Sequence, residues 1–225
     1  LSPLWVDNTF QTSLPGLYGV GDISYTGSGA PGAVPAPPSR TRGGGLPWAF
    51  YSGCEAGESS AAYALTGEHY EVDPLQVMES RHSFYLPMGN NGGFAPNDVL
   101  QSIQAIMNDL GKSIYRSEGR MLKAIAELDD IEAMLPRLKA SDTHELFLCN
   151  EVRSMTLCAQ LFFKTSLERK ESRGWFIRED YPERDDQNWL KWSIVDNDGG
   201  QMRVDFVPVP IETYPCQPTA EVEVD

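Results

Sequence analysis

Residues 16–22 are Gly-Leu-Tyr-Gly-Val-Gly-Asp, an apolar run of strand length that is interrupted by glycines and ends in a carboxylate. Leu17, Tyr18 and Val20 predict a buried strand, and the glycines relieve crowding where another backbone or a ligand comes close. Asp22 would then lie at the carboxyl end of the strand, where open α/β sheets bind ligands and where a carboxylate can accept sugar or ribityl hydroxyls. The run therefore predicts the back half of a nucleotide-binding fold. An ordinary buried strand followed by a polar turn would show the same short pattern.

The segment that follows predicts a loop and then the start of a helix. Residues 25–45 are rich in Gly, Pro, Ser and Ala, and a loop of this length inside a domain is usually functional or disordered. Residues 40–48 are Arg-Thr-Arg-Gly-Gly-Gly-Leu-Pro-Trp, and Pro47 suits the first helical turn because its missing N–H needs no partner there. The helix is expected to run to about Leu65, with Gly67 closing it. Its free N–H groups and positive dipole end favour an anion or a flavin carbonyl, and the alternative is a solvated basic loop beside a capped helix.

Composition limits the classes of partner. The 225 residues contain 18 Lys and Arg against 32 Asp and Glu, a formal net charge of -14, which argues against nucleic acid or an anionic membrane as the main partner. No run of about 18 apolar residues is present, so the sequence predicts no transmembrane segment. It also shows no signal-peptide pattern. We therefore expect a cytoplasmic protein, peripheral to a membrane only through partner subunits.

The cysteines and histidines are too scattered for a metal site. Cys54, Cys149, Cys158 and Cys216 form no C-x-x-C pair, and the three histidines do not pair with them or with one another at ligand spacing. The sequence predicts no metal and reduced thiols.

From Pro96 onward the apolar residues follow a helical period. The three predicted stripes are Val99, Ile103, Ile106 and Leu110; Met121, Ile125, Leu128, Leu135 and Leu138; and Leu148, Val152, Met155, Ala159 and Phe162. Asp142 followed by Glu145 fits a capping box at the start of the third helix. Short connections between these helices predict an antiparallel three-helix bundle. Before it, a short helix from Pro74 to about Tyr85 would place Leu75, Met78 and His82 on one side.

A charged segment and a hairpin follow the helices. Residues 168–186 mix both signs of charge with aromatic residues, which predicts packing on another domain through bidentate Arg–carboxylate pairs. Residues 188–195 and 201–206 alternate around an Asp-Asn-Asp-Gly-Gly turn at 196–200, a clear hairpin signal. The Pro-rich end beyond Pro208 is expected to be an extended arm with a loose acidic tail.

Three motifs together resemble the flavoprotein subunits of the succinate dehydrogenase and fumarate reductase family, a wider group that includes adenylylsulfate reductase alpha subunits and L-aspartate oxidase. They are Thr-Ser-Leu-Pro-Gly-Leu-Tyr-Gly-Val-Gly-Asp at residues 12–22, Arg-Gly-Gly-Gly at 42–45, and the long segment from Leu167 to Trp189 that contains Glu-Ser-Arg-Gly and Arg-Glu-Asp-Tyr-Pro-Glu-Arg-Asp-Asp. The last motif is long and specific. The resemblance covers essentially the whole chain as the C-terminal part of the family.

The resemblance implies roles for residues by position. FAD is the implied cofactor. The residues that match its binding positions are Gly21, Asp22, Gly44, Gly45, Pro47 and Trp48, with Asp22 on the ribityl hydroxyls and the helix start at the flavin ring. Arg42 matches the catalytic arginine that holds a substrate carboxylate and donates a proton. The chain departs from the family at Pro38 and Thr41, where the family has His and Asn, and at Leu46 and Pro47, where it has Asn and Ser.

The implied fold is α/β plus α. It comprises the C-terminal piece of an FAD-binding Rossmann-like domain (1–70), a connecting segment (71–95), an antiparallel three-helix bundle (96–172) and a tail with a hairpin and an extended arm (173–225). The G-x-G-x-x-G fingerprint for the ADP half of FAD is not in these residues, so the FAD-binding and capping part is expected in the same polypeptide or in a separate chain.

The implied function is part of an FAD-dependent oxidoreductase that moves electrons between a small anionic substrate and an iron–sulfur subunit, inactive as this chain alone. Two alternatives are kept. One is a non-catalytic helical interaction module with a decayed flavin site, and the other is an unrelated nucleotide-binding domain, which the Leu167-to-Trp189 match disfavours.

Overall fold

The computed structural model describes residues 4–24, 45–67, 71–174 and 176–213. In chain order the elements are α1 (Gly45–Ala64), α2 (Pro74–Gly89), α3 (Pro96–Asn108), α4 (Leu110–Ser113), β1 (Tyr115–Arg116), α5 (Glu118–Met134), α6 (Thr143–Glu168), β2 (Ile177–Arg178), α7 (Asp186–Trp189), β3 (Lys191–Asp198) and β4 (Gln201–Pro208). Strands β1 and β2 form a short parallel pair, and β3 and β4 an antiparallel one. The described part is thus mostly helical with few strands.

The hydrophobic core lies among α3, α5 and α6. Its members recur every three or four residues along each helix, as one face of an α-helix requires. They include Val99, Ile103 and Ile106 from α3, Met121, Ala124, Leu128 and Ile131 from α5, and Leu146, Cys149, Val152, Ala159 and Phe163 from α6. Each large apolar side chain removed from water contributes ~1.5–3 kcal/mol, so this shared core is the main source of stability for the three helices.

The first predicted stripe extends one turn too far. Helix α3 ends at Asn108, and Leu110, predicted as its last core residue, is 57% exposed. Asp109 starts a separate short helix instead, because its Oδ1 atom accepts a hydrogen bond of 3.0 Å from the Gly111 N–H. Because Asp109 caps a new helix, α3 ends before Leu110, the residue to which the apolar spacing would have extended it.

The third predicted stripe is partly displaced around its helix. Val152 and Ala159 are buried as predicted, but Met155 is 36% exposed. The buried face of α6 passes instead through Thr156 and continues to Phe163. Thr156 can be buried because its hydroxyl donates to the Val152 carbonyl at 2.7 Å, which satisfies the polar group inside the helix.

Helix α6 begins at the predicted capping residues. Asp142 Oδ1 accepts a hydrogen bond of 2.8 Å from the Glu145 N–H. In the usual capping box, the Glu145 side chain would accept a hydrogen bond from the N–H of Asp142. Here its Oε2 accepts instead from the N–H and the hydroxyl of Ser141, one residue earlier, both at 2.8 Å. These bonds to Ser141 lower the pKa of the Glu145 carboxyl.

Arg178 joins the end of α6 to the start of α5. Its side chain is almost fully buried, and Nε and Nη2 each donate to an oxygen of Asp180 at 2.8 Å. Asp180 Oδ2 also accepts the Glu118 N–H, at the start of α5, at 2.8 Å. Nη1 of Arg178 donates to three carbonyl groups at the end of α6, those of Ser166, Leu167 and Arg169. One arginine and one carboxylate therefore cap two helices at once.

A second buried cluster ties the same region to the hairpin. Glu171 is completely buried and accepts hydrogen bonds from Arg173 at 2.9 and 3.0 Å and from Arg169. Arg169 also donates to the Trp189 carbonyl at 2.8 Å and lies over the Trp189 ring. Bidentate Arg–carboxylate pairs are present in the charged segment, but both members of each pair lie inside residues 168–186, so the pairs themselves do not reach another domain as predicted.

Arg116 is a buried arginine held by aromatic rings. Its guanidinium carbon lies 4.8 Å from the ring centres of both Phe162 and Phe176. Burial, and the positive charge of nearby Arg178, lower the pKa of Arg116 to about 10. The side chain therefore stays charged at neutral pH, and the ring faces offset part of its lost hydration.

The hairpin carries its turn at Gly199 and Gly200, whose φ values are 60° and 90°. Its first strand starts at Lys191, three residues later than predicted. The residues before it form α7, because Asp185 Oδ1 accepts a hydrogen bond of 3.0 Å from the Asn188 N–H and caps a helical turn. The end of the predicted arm, residues 214–225, lies outside the described residues.

Residues 16–22 do not form the predicted buried strand. Leu17 and Val20 are 50% and 41% exposed, and Tyr18 makes only an isolated bridge. Gly21 has a φ of 67° and opens a 3₁₀ turn, Gly21–Ser24. A strand needs a neighbour for its N–H and C=O groups, and the described residues provide none beyond that bridge.

None of the helices within residues 45–67, 71–174 and 176–213 combines the length and the apolar content that crossing a bilayer requires.

The Arg178–Asp180 pair predicts a pH dependence of stability. Hydrogen bonds from Arg178 lower the pKa of Asp180 from 3.8 to about 2. The folded state therefore binds this proton less readily than the unfolded state, so the contribution is complete above pH 3.8 and is lost as the pH falls towards 2. The free energy of unfolding should be measured by urea denaturation at several pH values across this range. It should fall less with decreasing pH for Asp180→Asn than for the wild type, because asparagine has no carboxylate to protonate.

Glu179→Gln is the matched control. Glu179 pairs with Arg120 at the surface and is 51% exposed, against 27% for the Asp180 side chain. Exposed pairs contribute little, so this variant should keep most of the wild-type dependence. Equal slopes for the wild type and Asp180→Asn would contradict the assignment.

Candidate functional site

The structure brings five predicted site residues together where a 3₁₀ turn meets the start of α1: Gly21, Asp22, Gly45, Pro47 and Trp48. Helix α1 opens at Gly45, and Pro47 lies in its first turn, as the sequence predicted. Asp22 Oδ1 lies 3.7 Å from the position that a Cβ atom on Gly45 would take. The other two predicted residues, Arg42 and Gly44, lie outside the described residues.

Ser52 fixes the turn against the helix. Its side chain is fully buried, and its Oγ accepts a hydrogen bond of 2.9 Å from the Gly21 N–H. The same hydroxyl donates to the Trp48 carbonyl at 2.7 Å. A Cβ on Gly21 would make an ordinary contact of 3.6 Å with Ala49 Cβ, so it is the positive φ of 67° that favours glycine at this position. The position of Asp22 therefore depends on one serine in the second turn of α1.

An aromatic cluster of Phe10, Trp48 and Tyr51 stabilises the first turns of α1. Phe10 is 5% exposed, and its ring meets Trp48 edge-on at 5.6 Å and Tyr51 at 6.0 Å. Phe10 has a φ of 65°, a backbone conformation that costs a non-glycine residue about 1–2 kcal/mol. Burial of its ring and the two edge-to-face contacts offset that cost. The helix start is thus held in place through Trp48 and Tyr51.

The site combines an exposed carboxylate with a helix terminus. Asp22 is exposed, and its carboxylate makes no hydrogen bond or ion pair with the described part of the chain. Gly45 and Leu46 open the 20-residue helix α1, where backbone N–H groups lie ahead of the intrahelical ladder, and the helix dipole makes this end positive. A carboxylate beside such donors suits a ligand that carries both hydroxyl groups and an electron-rich carbonyl.

Exposed apolar side chains surround this site. Leu46 is 84% exposed, Phe50 77%, Ile23 54% and Val20 41%. Several exposed apolar side chains around one polar site are typical of a surface that a ligand or another polypeptide covers.

Ser52 is not among the site residues that the sequence predicted. Its position could have been inferred from the spacing of small residues, because Ala56 and Ser59 follow Ser52 by four and seven residues on one face of α1. Small residues at that spacing let another segment approach the helix closely. Residues 4–24 occupy this face, and Gly16 passes so near Tyr63 that a Cβ there would lie 3.0 Å from its ring.

A metal centre is not part of this site as far as the structure describes it. Within residues 4–24, 45–67, 71–174 and 176–213, no three His, Cys, Asp or Glu side chains are grouped so that they could hold an ion. Cys54, Cys149 and Cys158 are free thiols, and burial raises the pKa of Cys149.

A family profile and the curated relatives identify the same family for this chain. The family profile described as "Fumarate reductase flavoprotein C-term" matches residues 100–222. The fumarate reductase flavoprotein subunit of Haemophilus influenzae is 28% identical over 217 residues, which is 92% of this chain and 34% of that protein. The chain thus spans about a third of the length of the curated relatives it matches.

Solved structures share the fold. FrdA of the E. coli quinol fumarate reductase superposes with a TM-score of 0.78 at 24% identity, over 93% of this chain and 36% of that one. Adenylylsulfate reductase from Archaeoglobus fulgidus gives a TM-score of 0.67 at 24% identity, over 72% of this chain and 29% of the other.

The Ser52 link predicts a stability cost. Ser52→Ala leaves the buried Gly21 N–H without its acceptor, which should lower the free energy of unfolding by about 1–3 kcal/mol. Ser60→Ala is the control, because the Ser60 hydroxyl bonds only the Gly57 carbonyl of its own helix and should change stability by less than about 0.5 kcal/mol. Urea unfolding followed by tryptophan fluorescence would compare them, and equal effects would show that Ser52 does not hold the turn.

Proposed function

Because this chain belongs to the fumarate reductase flavoprotein C-terminal family, we propose that it is the C-terminal part of an FAD-dependent oxidoreductase flavoprotein subunit. The subunit transfers electrons between a small anionic substrate, of the carboxylate class, and an iron–sulfur partner. The relatives that carry this assignment are named flavoprotein subunits of fumarate reductase and succinate dehydrogenase.

One observation supports the proposal: the Asp22 carboxylate, which has no partner among the described residues, lies beside the start of α1. The flavin half of FAD fits these residues, because ribityl hydroxyls need an acceptor and the pyrimidine carbonyl needs donors. Gly45 has no side chain to fill the space beside Asp22. Asp22 would hold the hydroxyls, and the backbone around Gly45, Pro47 and Trp48 would meet the ring. When bound, FAD supplies the two-electron acceptor.

This chain would bind and orient the flavin half of FAD, but it would not form the whole cofactor site. Ser52 and Phe10 keep the Asp22 turn and the helix start in a fixed relation, which preorganises the acceptor and the donors. The ADP half of FAD would be bound by the part that supplies a G-x-G-x-x-G fingerprint. Residues 1–70 would then complete the FAD-binding domain, 71–95 connect it, 96–172 form the helical domain and 173–225 the tail.

Arg42 is the proposed catalytic residue. It precedes Gly45 by three residues, so it is near the helix start in sequence, and a guanidinium is matched to a carboxylate by its bidentate geometry. It would hold the substrate carboxylate and donate a proton. The positive charge would also stabilise negative charge that develops on the substrate.

Similarity to named flavoprotein subunits over about nine tenths of the chain favours this function over a non-catalytic module with a decayed flavin site. We also propose that partner subunits place this chain at a membrane surface.

Asp22→Asn tests the cofactor assignment. The substitution removes a charged acceptor, and hydrogen bonds to charged groups contribute about 1.5–3 kcal/mol, so flavin affinity should fall about 10- to 100-fold. The measurement is the flavin absorbance per protein after gentle purification and dialysis of the natively assembled flavoprotein. Asp130→Asn, on α5 and exposed, should retain the wild-type content. Unchanged flavin content in Asp22→Asn would remove Asp22 from the site.

Arg42→Ala tests the catalytic assignment in the same material. Loss of an electrostatic stabiliser of the transition state should lower turnover with a small dicarboxylate by about 100-fold or more while flavin content stays close to wild type. Arg40→Ala, two residues away in the sequence, should change turnover far less. Parallel loss of flavin and turnover in Arg42→Ala would make Arg42 a structural residue, and no loss would exclude it.

A further inference from the structure

Arg116 differs from the other buried arginines. Three arginines are buried in the described part of the chain: Arg116, Arg173 and Arg178. Arg173 pairs with Glu171, and Arg178 pairs with Asp180. The Arg116 side chain has no carboxylate partner among the described residues, although it is only 7% exposed. Burying a charge without an opposite charge is costly, so this position requires an explanation that the other two do not.

The nitrogen atoms of Arg116 also lack acceptors. Nε and Nη1 are sheltered from water and have no hydrogen-bond partner within residues 4–24, 45–67, 71–174 and 176–213. Nη2 has no partner there either, but it is not sheltered in the same way. Because buried N–H groups in folded proteins are nearly always satisfied, two unsatisfied nitrogens on one guanidinium indicate that an acceptor is missing.

The aromatic rings around Arg116 do not supply this acceptor. The guanidinium carbon lies 4.8 Å from the ring centres of both Phe162 and Phe176, and the face of a phenyl ring attracts a positive charge. The N–H groups of a guanidinium lie in its own plane and are best satisfied by oxygen atoms in that plane. The two rings therefore stabilise the charge and leave the in-plane donors available to an oxygen acceptor.

The nearby carboxylates are already engaged. Both oxygens of Asp180 accept hydrogen bonds from Arg178, and Glu179 pairs with Arg120. Arg178 adds a second positive charge near Arg116, which contributes to lowering the pKa of Arg116 to about 10. One positive charge at the junction of β1, β2 and α6 is therefore left without a counter-charge among the described residues.

We propose that Arg116 binds a small carboxylate in the plane of its guanidinium. A carboxylate is matched to a guanidinium by two parallel N–H···O bonds. The side-on pair of donors is Nε with Nη2, and the end-on pair is Nη1 with Nη2. Each pair joins one sheltered nitrogen to Nη2, so an anion that reaches Nη2 also satisfies a buried N–H group and supplies the missing charge.

The burial of Arg116 selects a small, flat anion. At 7% exposure the guanidinium is accessible to a single group rather than to a large surface. A carboxylate offers two oxygens at the spacing of the donor pair, whereas chloride offers one acceptor and no second matched bond. The inference does not depend on the flavin assignment, because it uses none of the residues assigned to the flavin.

An acetate titration of the natively purified flavoprotein tests the site. Replacing sodium chloride by sodium acetate at constant ionic strength should raise the midpoint of thermal unfolding of the wild type saturably, by at least about 2 °C. Arg116→Met should show no such rise, because methionine cannot bind the anion. Arg137→Met is the matched control: Arg137 also lies over a phenyl ring, that of Phe94, but is exposed, so this variant should respond as the wild type does.

The order of the unfolding midpoints provides a second measurement. Without acetate, Arg116→Met should unfold at a temperature equal to or above that of the wild type, because it removes a buried charge that has no partner. With saturating acetate, the wild type should be the more stable of the two. A variant that is less stable than the wild type by the same amount at every acetate concentration would make Arg116 a structural residue and overturn the proposal.

Two further outcomes would overturn the proposal. A wild-type midpoint that does not respond to acetate would do so, and this includes the case in which a carboxylate of another polypeptide occupies Arg116. Equal responses of the wild type and Arg116→Met would place the acetate at another site.

Arg116→Lys keeps the test decisive if methionine prevents folding. Lysine retains the charge but lacks the paired donors, so the acetate concentration for half of the effect should rise about tenfold. An unchanged acetate requirement in Arg116→Lys would contradict binding through the donor pair.

Discussion

Arg178 and Asp180 hold together the end of α6 and the start of α5, and the helical core depends on that junction. The last carbonyls of a helix and the first N–H groups of another have no intrahelical partners, so burying both ends together requires a donor and an acceptor. Arg178 provides the donors for the carbonyls of α6, and Asp180 accepts the Glu118 N–H while balancing the charge of Arg178. Either charge buried alone would be costly, and the pair satisfies both helix ends.

The rest of the charged segment extends from this junction. Glu171 holds Arg169 and Arg173, and Arg169 reaches the backbone beside the hairpin, so the hairpin is oriented relative to α6 through buried ion pairs. Trp192 of the hairpin in turn meets Trp5 edge-on at 5.8 Å, which connects it to the segment that carries Asp22. A continuous set of polar and aromatic contacts thus runs from the core helices to the N-terminal segment.

Burial is distributed unevenly along the chain. The helices α3, α5 and α6 enclose a core of their own, whereas α1 and α2 expose large apolar side chains. The proposed flavin site has the same character, since Asp22 and the first residues of α1 are exposed in the described part of the chain. The contacts of Ser52 and Phe10 nevertheless fix the turn against the helix, so the proposed site is both exposed and preorganised.

Features that depend on neighbouring residues in the sequence were predictable. The cap at Asp142, the hairpin turn at Gly199 and the helix following Gly45 each arise from interactions within a few residues, so the sequence alone determined them, together with the family. The strand expected at residues 16–22 was wrong because a strand depends on a neighbour that local sequence does not specify. Only the tertiary structure decided that Ser52 holds Gly21, that Arg178 reaches Ser166, and that Leu75 and Met78 of α2 are exposed. These contacts join residues far apart along the chain, and their geometry arises only when packing brings those residues together.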